Sequence, residues 1–164
     1  TRKACIILPM TALLAALALL APAQDPFVVR DHYVKREVMV PMRDGVKLYT
    51  AIYSPKNTDA TYPILLQRTP YGSSPYGEAI RGSLGPGRQY AKEGYIFVYQ
   101  DVRGRWNSEG FHIYNVPHNP NKRSAKDVDE SSDAFDTIEW LIKNVPSHNS
   151  RAGVYGISQP GFYA

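Results

Sequence analysis

VYGISQPGFYA, residues 154–164, starts as an apolar run, breaks at Gly156 and carries a serine between two glycines. Val154 and Tyr155 suit the end of a strand, and Gln159 onward suits the first turns of a helix, with Pro160 where no N–H is needed. A strand that bends sharply into a helix lifts a serine hydroxyl onto the bend, and the side chains around such a bend must be small. Gly156, two residues before Ser158, meets that need. Gly161 is expected to let the new helix lie close to a neighbouring strand. The spacing is G-x-S-x-x-G rather than the usual G-x-S-x-G, so a serine that merely N-caps the helix is the competing reading.

Upstream, the pattern alternates between strands and helices. Residues 36–42 and 46–53 alternate in polarity around the Arg43-Asp44-Gly45 turn and predict a hairpin, with Pro41 near the end of an edge strand. Tyr62–Gln67 and Tyr95–Asp101 are continuous apolar runs, as expected of strands buried on both faces. Between them lie a Gly/Ser/Pro/Tyr-rich loop at 68–87 and a short helix near Arg88–Glu93 that stops at Gly94. Residues 111–124 read as surface loop. Val128, Phe135, Ile138 and Ile142 then share one helical face. Asp127, Asp129 and Glu130 load its start, and Lys143 its end. Residues 151–156 are the next strand. The order implies an α/β fold, mostly parallel with an antiparallel opening hairpin.

The chain's 164 residues and ordinary balance, 43% hydrophobic and 21% charged, suit one globular domain. Its start differs in kind. Arg2 and Lys3 precede an apolar run that ends Ala21-Pro22-Ala23, which reads as a secretory signal peptide over 1–23, cleaved after Ala23. An uncleaved membrane anchor is the alternative. Residues 24–36 are a polar lead-in, and 37–164 form the expected catalytic domain. A cleaved leader implies a secreted or periplasmic product without stable membrane association. Without the leader the net charge falls from +4 to +2, since residues 1–23 hold two cations and no acid. That excess, with no basic block interleaved with aromatics, argues against nucleic acid. The single cysteine, Cys5, lies in the leader, which excludes a disulfide framework and a thiol nucleophile in the mature chain. No dinucleotide or phosphate loop is present, and no cofactor is expected. Asp127, Asp129, Glu130 and Asp133 lack the spacing of a calcium loop and are expected to be a solvated helix start, so no metal is expected.

If Ser158 is a nucleophile, the N–H of Gln159 faces the developing oxyanion. A second donor is expected from the loop after an earlier strand, where Tyr71 stands directly past the run at 62–67. By spacing alone, loop packing is the better account of Tyr71.

Five blocks, VPMRDGVKLYTAIYSP (40–55), PILLQRTPYG (63–72), QDVRGRWNSEG (100–110), DAFDTIEWL (133–141) and GVYGISQPGF (153–162), occur in this order. Together they resemble the serine hydrolases grouped with X-Pro dipeptidyl-peptidase and cocaine esterase (the CocE/NonD type), and within them the α-amino acid ester hydrolases and glutaryl acylases. The resemblance spans about residues 33–164. It implies the N-terminal part of an α/β-hydrolase fold, ending just past the nucleophile elbow. It implies Ser158 as nucleophile, the Tyr71 hydroxyl as one oxyanion donor and the Gln159 backbone N–H as the other. Gln159 stands where the family usually has tyrosine, which leaves its side chain's part in the acyl pocket open. Asp101 and Arg103 are expected to shape a loop as ion-pair residues.

The fold's chain order is Ser, then Asp or Glu, then His. No acid or histidine follows Ser158, and His32, His112, His118 and His148 all precede it. They are expected to be surface or capping residues. The sequence therefore reads as the N-terminal portion of a longer serine hydrolase, acting on a small ester, amide or peptide through an acyl-enzyme. These 164 residues alone are expected to be inactive. The alternative is a non-catalytic secreted α/β module or truncated pseudo-enzyme.

Overall fold

The computed structural model describes residues 27–164, so the expected leader, its cleavage site and the first residues of the lead-in lie outside the described residues. The lead-in is structured where it is described. One helical turn, α1 (Val29–His32), runs directly into β1 (Tyr33–Pro41), three residues earlier than alternation suggests. Tyr33 is buried, and its hydroxyl donates to Ala91 O at 2.9 Å, which draws the strand's start into the core.

β2 (Lys47–Pro55), β3 (Tyr62–Thr69), α2 (Arg88–Glu93), β4 (Ile96–Asp101), α3 (Glu130–Asn144) and β5 (His148–Val154) follow, and a 3₁₀ turn over Gln159–Tyr163 ends the chain. The five strands form one sheet in the order β1-β2-β4-β3-β5. β1 pairs antiparallel with β2 and β2 antiparallel with β4, while β3 pairs parallel with both β4 and β5. Only β2 therefore runs against the other four. This is the expected sheet: mostly parallel, opened by an antiparallel hairpin. Gly94 caps α2 in the left-handed conformation, φ 91°, where its missing Cβ removes the usual penalty.

Strand alternation sorts the core into two layers. Tyr49, Ala51, Tyr53, Phe97 and Tyr99 face one side and pack on Leu84 and Ala91. Ile52, Ile64, Leu66, Ile96 and Val98 face the other and pack on Leu141 and Val145. The same alternation carries Thr50, Arg68 and Gln100 onto the α3 side at the upper ends of their strands, and all three are fully buried.

That polar layer explains why α3 presents a different face from the one its apolar residues suggest. Ser132, Asp133, Thr137 and Leu141 are its buried residues. Phe135 is exposed, with the Arg43 guanidinium 5.8 Å from its ring centroid, and Val128 lies before the helix. Ile138 and Ile142 are half-buried beside Leu141. Apolar periodicity finds the buried face only where the opposing surface is apolar. Here Thr137 hydrogen-bonds Gln100 and Asp133 faces arginines. Asp129 caps the helix: its carboxylate accepts from Ser132 N, and the Ser132 hydroxyl takes part in a capping box. Among the described residues, no helix is long and apolar enough to cross a membrane.

Candidate active site

Leu66 and Val154 are partners in the parallel β3–β5 pair, and the Tyr155 N–H donates to Leu66 O at 3.0 Å to extend the ladder. Parallel strands leave a sheet at the same end. Tyr71 follows Leu66, and Ser158 follows Val154, by a similar length of chain, so both emerge at one end of adjacent strands. The 3₁₀ turn after Ser158 packs against β3.

Ser158 is exposed, with φ 58° and ψ −130°. A residue with a Cβ adopts this conformation only when its surroundings impose it. The bend is closed by Gly156: a Cβ there would lie 2.2 Å from both the carbonyl carbon and the oxygen of Pro160. A Cβ on Gly161 would approach Gly156 O no closer than 3.4 Å. The tight contact is thus within the bend and falls on the first glycine, not between the helix and a neighbouring strand as expected of the second. Ser158 stands at the N-cap position of the turn that follows, but its side chain makes no capping hydrogen bond. The segment after it is a 3₁₀ turn rather than an α-helix, closed by the Gly161 N–H donating to Ser158 O at 2.8 Å. Gln159 opens that turn, where a helical segment leaves an N–H without an internal acceptor.

The Gln159 side chain is buried and fully engaged. Its Oε1 accepts from the Tyr114 hydroxyl at 2.6 Å, and its Nε2 donates to Asn115 Oδ1 and, at 3.4 Å, to the Tyr163 hydroxyl. It anchors the 114–115 segment to the bend. Tyr114 and Asn115 lie more than forty positions upstream, so no local pattern announces them.

Tyr71 is 65% exposed, and its backbone N–H donates to Thr69 Oγ1 at 3.1 Å. Ile157 and Phe162, flanking Ser158 in sequence, are exposed as well, so the surface around the serine is open and partly apolar.

Beneath this end of the sheet lies a charged layer that sequence reasoning missed. Arg68 has no exposed side-chain surface. Its Nε donates to Gln100 Oε1 at 2.9 Å, and its Nη1 donates to Glu130 O at 2.8 Å and to Glu130 Oε2 at 3.0 Å. Its Nη2 is 3.6 Å from Asp133. Burial pushes the Glu130 carboxyl up, and the pull of Arg68 does not fully offset it. Arg103 grips Asp133 with two nitrogens, at 3.0 and 2.7 Å, and reaches Asp44 in the hairpin turn at 2.7 Å. Burial opposes ionisation of Asp44, but Arg103 outweighs it and the carboxyl lies low. Asp129 behaves likewise: burial resists its charge, and donors from Asn119, Lys122, Ser132 and Ser131 hold it well below the usual range. The expected solvated helix start is thus confined to Asp127, which receives the N–H groups of Arg123 and Ser124. Asp129 and Asp133 are buried, and Glu130 is nearly so. Glu130 and Asp133 look solvated in sequence because Arg68 and Arg103, which draw them in, are far along the chain.

Arg103 is an ion-pair residue, as expected. Asp101 is not paired with it: the Asp101 carboxylate receives Ser73 N–H, the Tyr76 hydroxyl and Asn107 N–H. The histidines serve locally. His32 stacks on Phe27, His112 lies near Arg103 O, His118 meets Ser131, and His148 accepts from Ser150 N–H. Among the described residues, no group of three or more His, Cys, Asp or Glu side chains is arranged to hold a metal ion.

Residues 44–164 match the model of the X-Pro dipeptidyl-peptidase (S15) family. The chain is 34% identical over 131 residues to the cocaine esterase of Rhodococcus sp. (strain MB1 Bresler), covering 80% of this chain and 20% of that protein. Among solved structures, an α-amino acid ester hydrolase is 41% identical with a TM-score of 0.71, over 87% of this chain and 25% of that one. An aminopeptidase from a marine sediment archaeon, Thaumarchaeota archaeon, is 37% identical with a TM-score of 0.70, over 88% of this chain and 24% of that one. The chain thus spans a fifth to a quarter of the length of these relatives.

Proposed function

The chain belongs to the X-Pro dipeptidyl-peptidase (S15) family, and on that premise we propose that it carries the nucleophile and the oxyanion donors of a serine hydrolase that cleaves ester or amide bonds. The relatives named above are an esterase, an ester hydrolase and an aminopeptidase, which supports hydrolysis of a small acyl or peptidyl substrate. The observation that carries the reading is the backbone of Ser158, a strained, exposed serine on a bend closed by Gly156. Backbone strain of this kind clusters at active sites, and here the side chain caps nothing.

In the proposed mechanism, Ser158 Oγ attacks the substrate carbonyl carbon and gives its proton to a histidine base. The carbonyl π bond opens onto oxygen, and the Tyr71 hydroxyl and the Gln159 N–H donate hydrogen bonds to the resulting oxyanion. The oxyanion collapses, the bond to the leaving group breaks, and the leaving group takes the proton from the imidazolium. Water then repeats the sequence on the acyl-enzyme and frees Ser158. The histidine and its carboxylate are assigned to sequence beyond Ala164, since the partners of all four histidines here lie elsewhere. Residues 24–164 alone accordingly turn over no ester. The leader-like run at 1–23 supports placing the protein outside the cytoplasm.

Treating the full-length protein with a fluorophosphonate probe is expected to yield one adduct, on the peptide bearing Ser158. A non-catalytic module of the same fold predicts an unlabelled Ser158, and that outcome would remove the proposal. A second expectation concerns the oxyanion. Tyr71→Phe keeps the ring and deletes only the hydroxyl, and it is expected to lower kcat by about 100-fold with KM little changed, as for loss of one donor aimed at transition-state charge. Steady-state kinetics on p-nitrophenyl acetate measure this. An unchanged kcat would send the search for the second donor elsewhere in the Arg68–Gly77 segment.

A further inference from the structure

Resting on the reading of Tyr71 as an oxyanion donor, we infer that Asp101 and Trp106 are positioning residues that hold the Tyr71 segment in its productive place. Tyr71 lies on an exposed loop, yet an oxyanion donor contributes fully only if it needs no reorganisation when charge develops. A phenol on an untethered loop does not meet that condition, and the structure supplies tethers on both sides of it.

Before Tyr71, the carbonyl oxygen of Pro70 accepts from two donors of the loop after β4, Trp106 Nε1 at 3.0 Å and Arg105 Nε at 3.1 Å. After Tyr71, the Ser73 N–H donates to Asp101 Oδ1 at 2.6 Å, and the Tyr76 hydroxyl donates to Asp101 Oδ2 at 3.0 Å. Burial, and then the Asp101 carboxylate, push the Tyr76 phenol up to about 12, so it remains a proton donor at physiological pH. The same Oδ2 receives the Asn107 N–H at 3.3 Å, and Asp101 O receives the Ser108 hydroxyl at 2.6 Å. One buried carboxylate therefore fastens both loops together. The Trp106 indole lies on the backbone of Gly72, where a Cβ would come within 3.1 Å of the ring. Trp106 does this from a positive φ of 50°, an uncommon and strained conformation for a bulky residue, while Gly72 takes φ 97°. The strain is understandable if the ring must reach this one place.

The assignment is tested with the full-length protein and p-nitrophenyl acetate by a double-mutant cycle. Trp106→Phe retains a ring and removes the Nε1 donor, at a residue whose exposure spares the core. Asp101→Asn retains the shape and replaces one accepting oxygen with a donor. Each is expected to lower kcat by roughly 10- to 100-fold with KM little changed, as for a small displacement of a catalytic group. In a Tyr71→Phe background, Trp106→Phe is expected to cost almost nothing more, because no hydroxyl is left to misplace. If Trp106→Phe leaves kcat intact, or costs the same factor with and without the Tyr71 hydroxyl, the inference is overturned while the oxyanion reading stands. A silent Tyr71→Phe removes the oxyanion reading and this inference with it.

Discussion

Replacing Ser158 by glycine in the full-length protein is expected to lower kcat by about 10⁴- to 10⁶-fold, the scale seen when a triad serine is lost, and to raise Tm. The two effects share a cause. At φ 58° and ψ −130° the serine's Cβ is forced against its own backbone, at a cost on the order of 1–3 kcal/mol. Glycine enters the same region freely, though it loses more backbone entropy on folding, roughly 0.5–1 kcal/mol. The net expectation is about 1 kcal/mol of added stability. Ser158→Ala separates the contributions. It abolishes turnover equally but retains Cβ and therefore the strain, so its Tm should stay near that of the parent protein. Esterase turnover surviving in Ser158→Ala would end the nucleophile assignment. A Tm for Ser158→Gly below that of Ser158→Ala would show that the bend stores no strain.

The second large effect is on stability. Arg68→Leu is expected to destabilise the full-length protein by about 3–5 kcal/mol, the usual consequence of removing one partner of a buried ion pair. Leucine fills part of the volume and suits the apolar layer formed by Ile64 and Leu66 on the same face of β3. It cannot donate to Gln100, to the Glu130 carbonyl or to the Glu130 carboxylate. Asp133 keeps Arg103, so the unpaired charge falls on Glu130. The pH dependence gives a check on the cause. A carboxyl whose folded pKa is raised contributes stability that is present below its unfolded value, near 4.3, and is lost as pH rises through the folded value. Glu130 already lies above its ordinary value through burial, and losing Arg68 should push it further. The deficit of Arg68→Leu should therefore be smallest near pH 4 and grow toward neutrality. Adding Glu130→Gln should recover part of the loss at pH 7. Urea midpoints at the two pH values measure both, and a deficit independent of pH would place the cost in packing rather than charge.

The sequence alone was enough for the order of strands and helices from β1 to β5, for the hairpin around Arg43–Gly45, and for the bend at Ser158. These depend on local chemistry: period-two polarity, the apolar runs at 62–67 and 95–101, and glycines where a side chain does not fit. The candidate nucleophile was legible for the same reason, because Gly156, Ser158 and Pro160 are close in the chain and the tight approach of Gly156 to Pro160 falls within the bend itself. What only the tertiary structure decided lies between segments distant in sequence. The buried face of α3 is polar because it opposes Arg68 and Gln100, and no pattern within residues 128–143 could show that. The fate of Gln159 was set by Tyr114 and Asn115, and that of Asp101 by Ser73 and Tyr76. A buried polar group is stable only when its partners are in place. Those partners are chosen by which strand ends and loops the sheet order brings together, and the order β1-β2-β4-β3-β5 is not written in any one stretch of the chain.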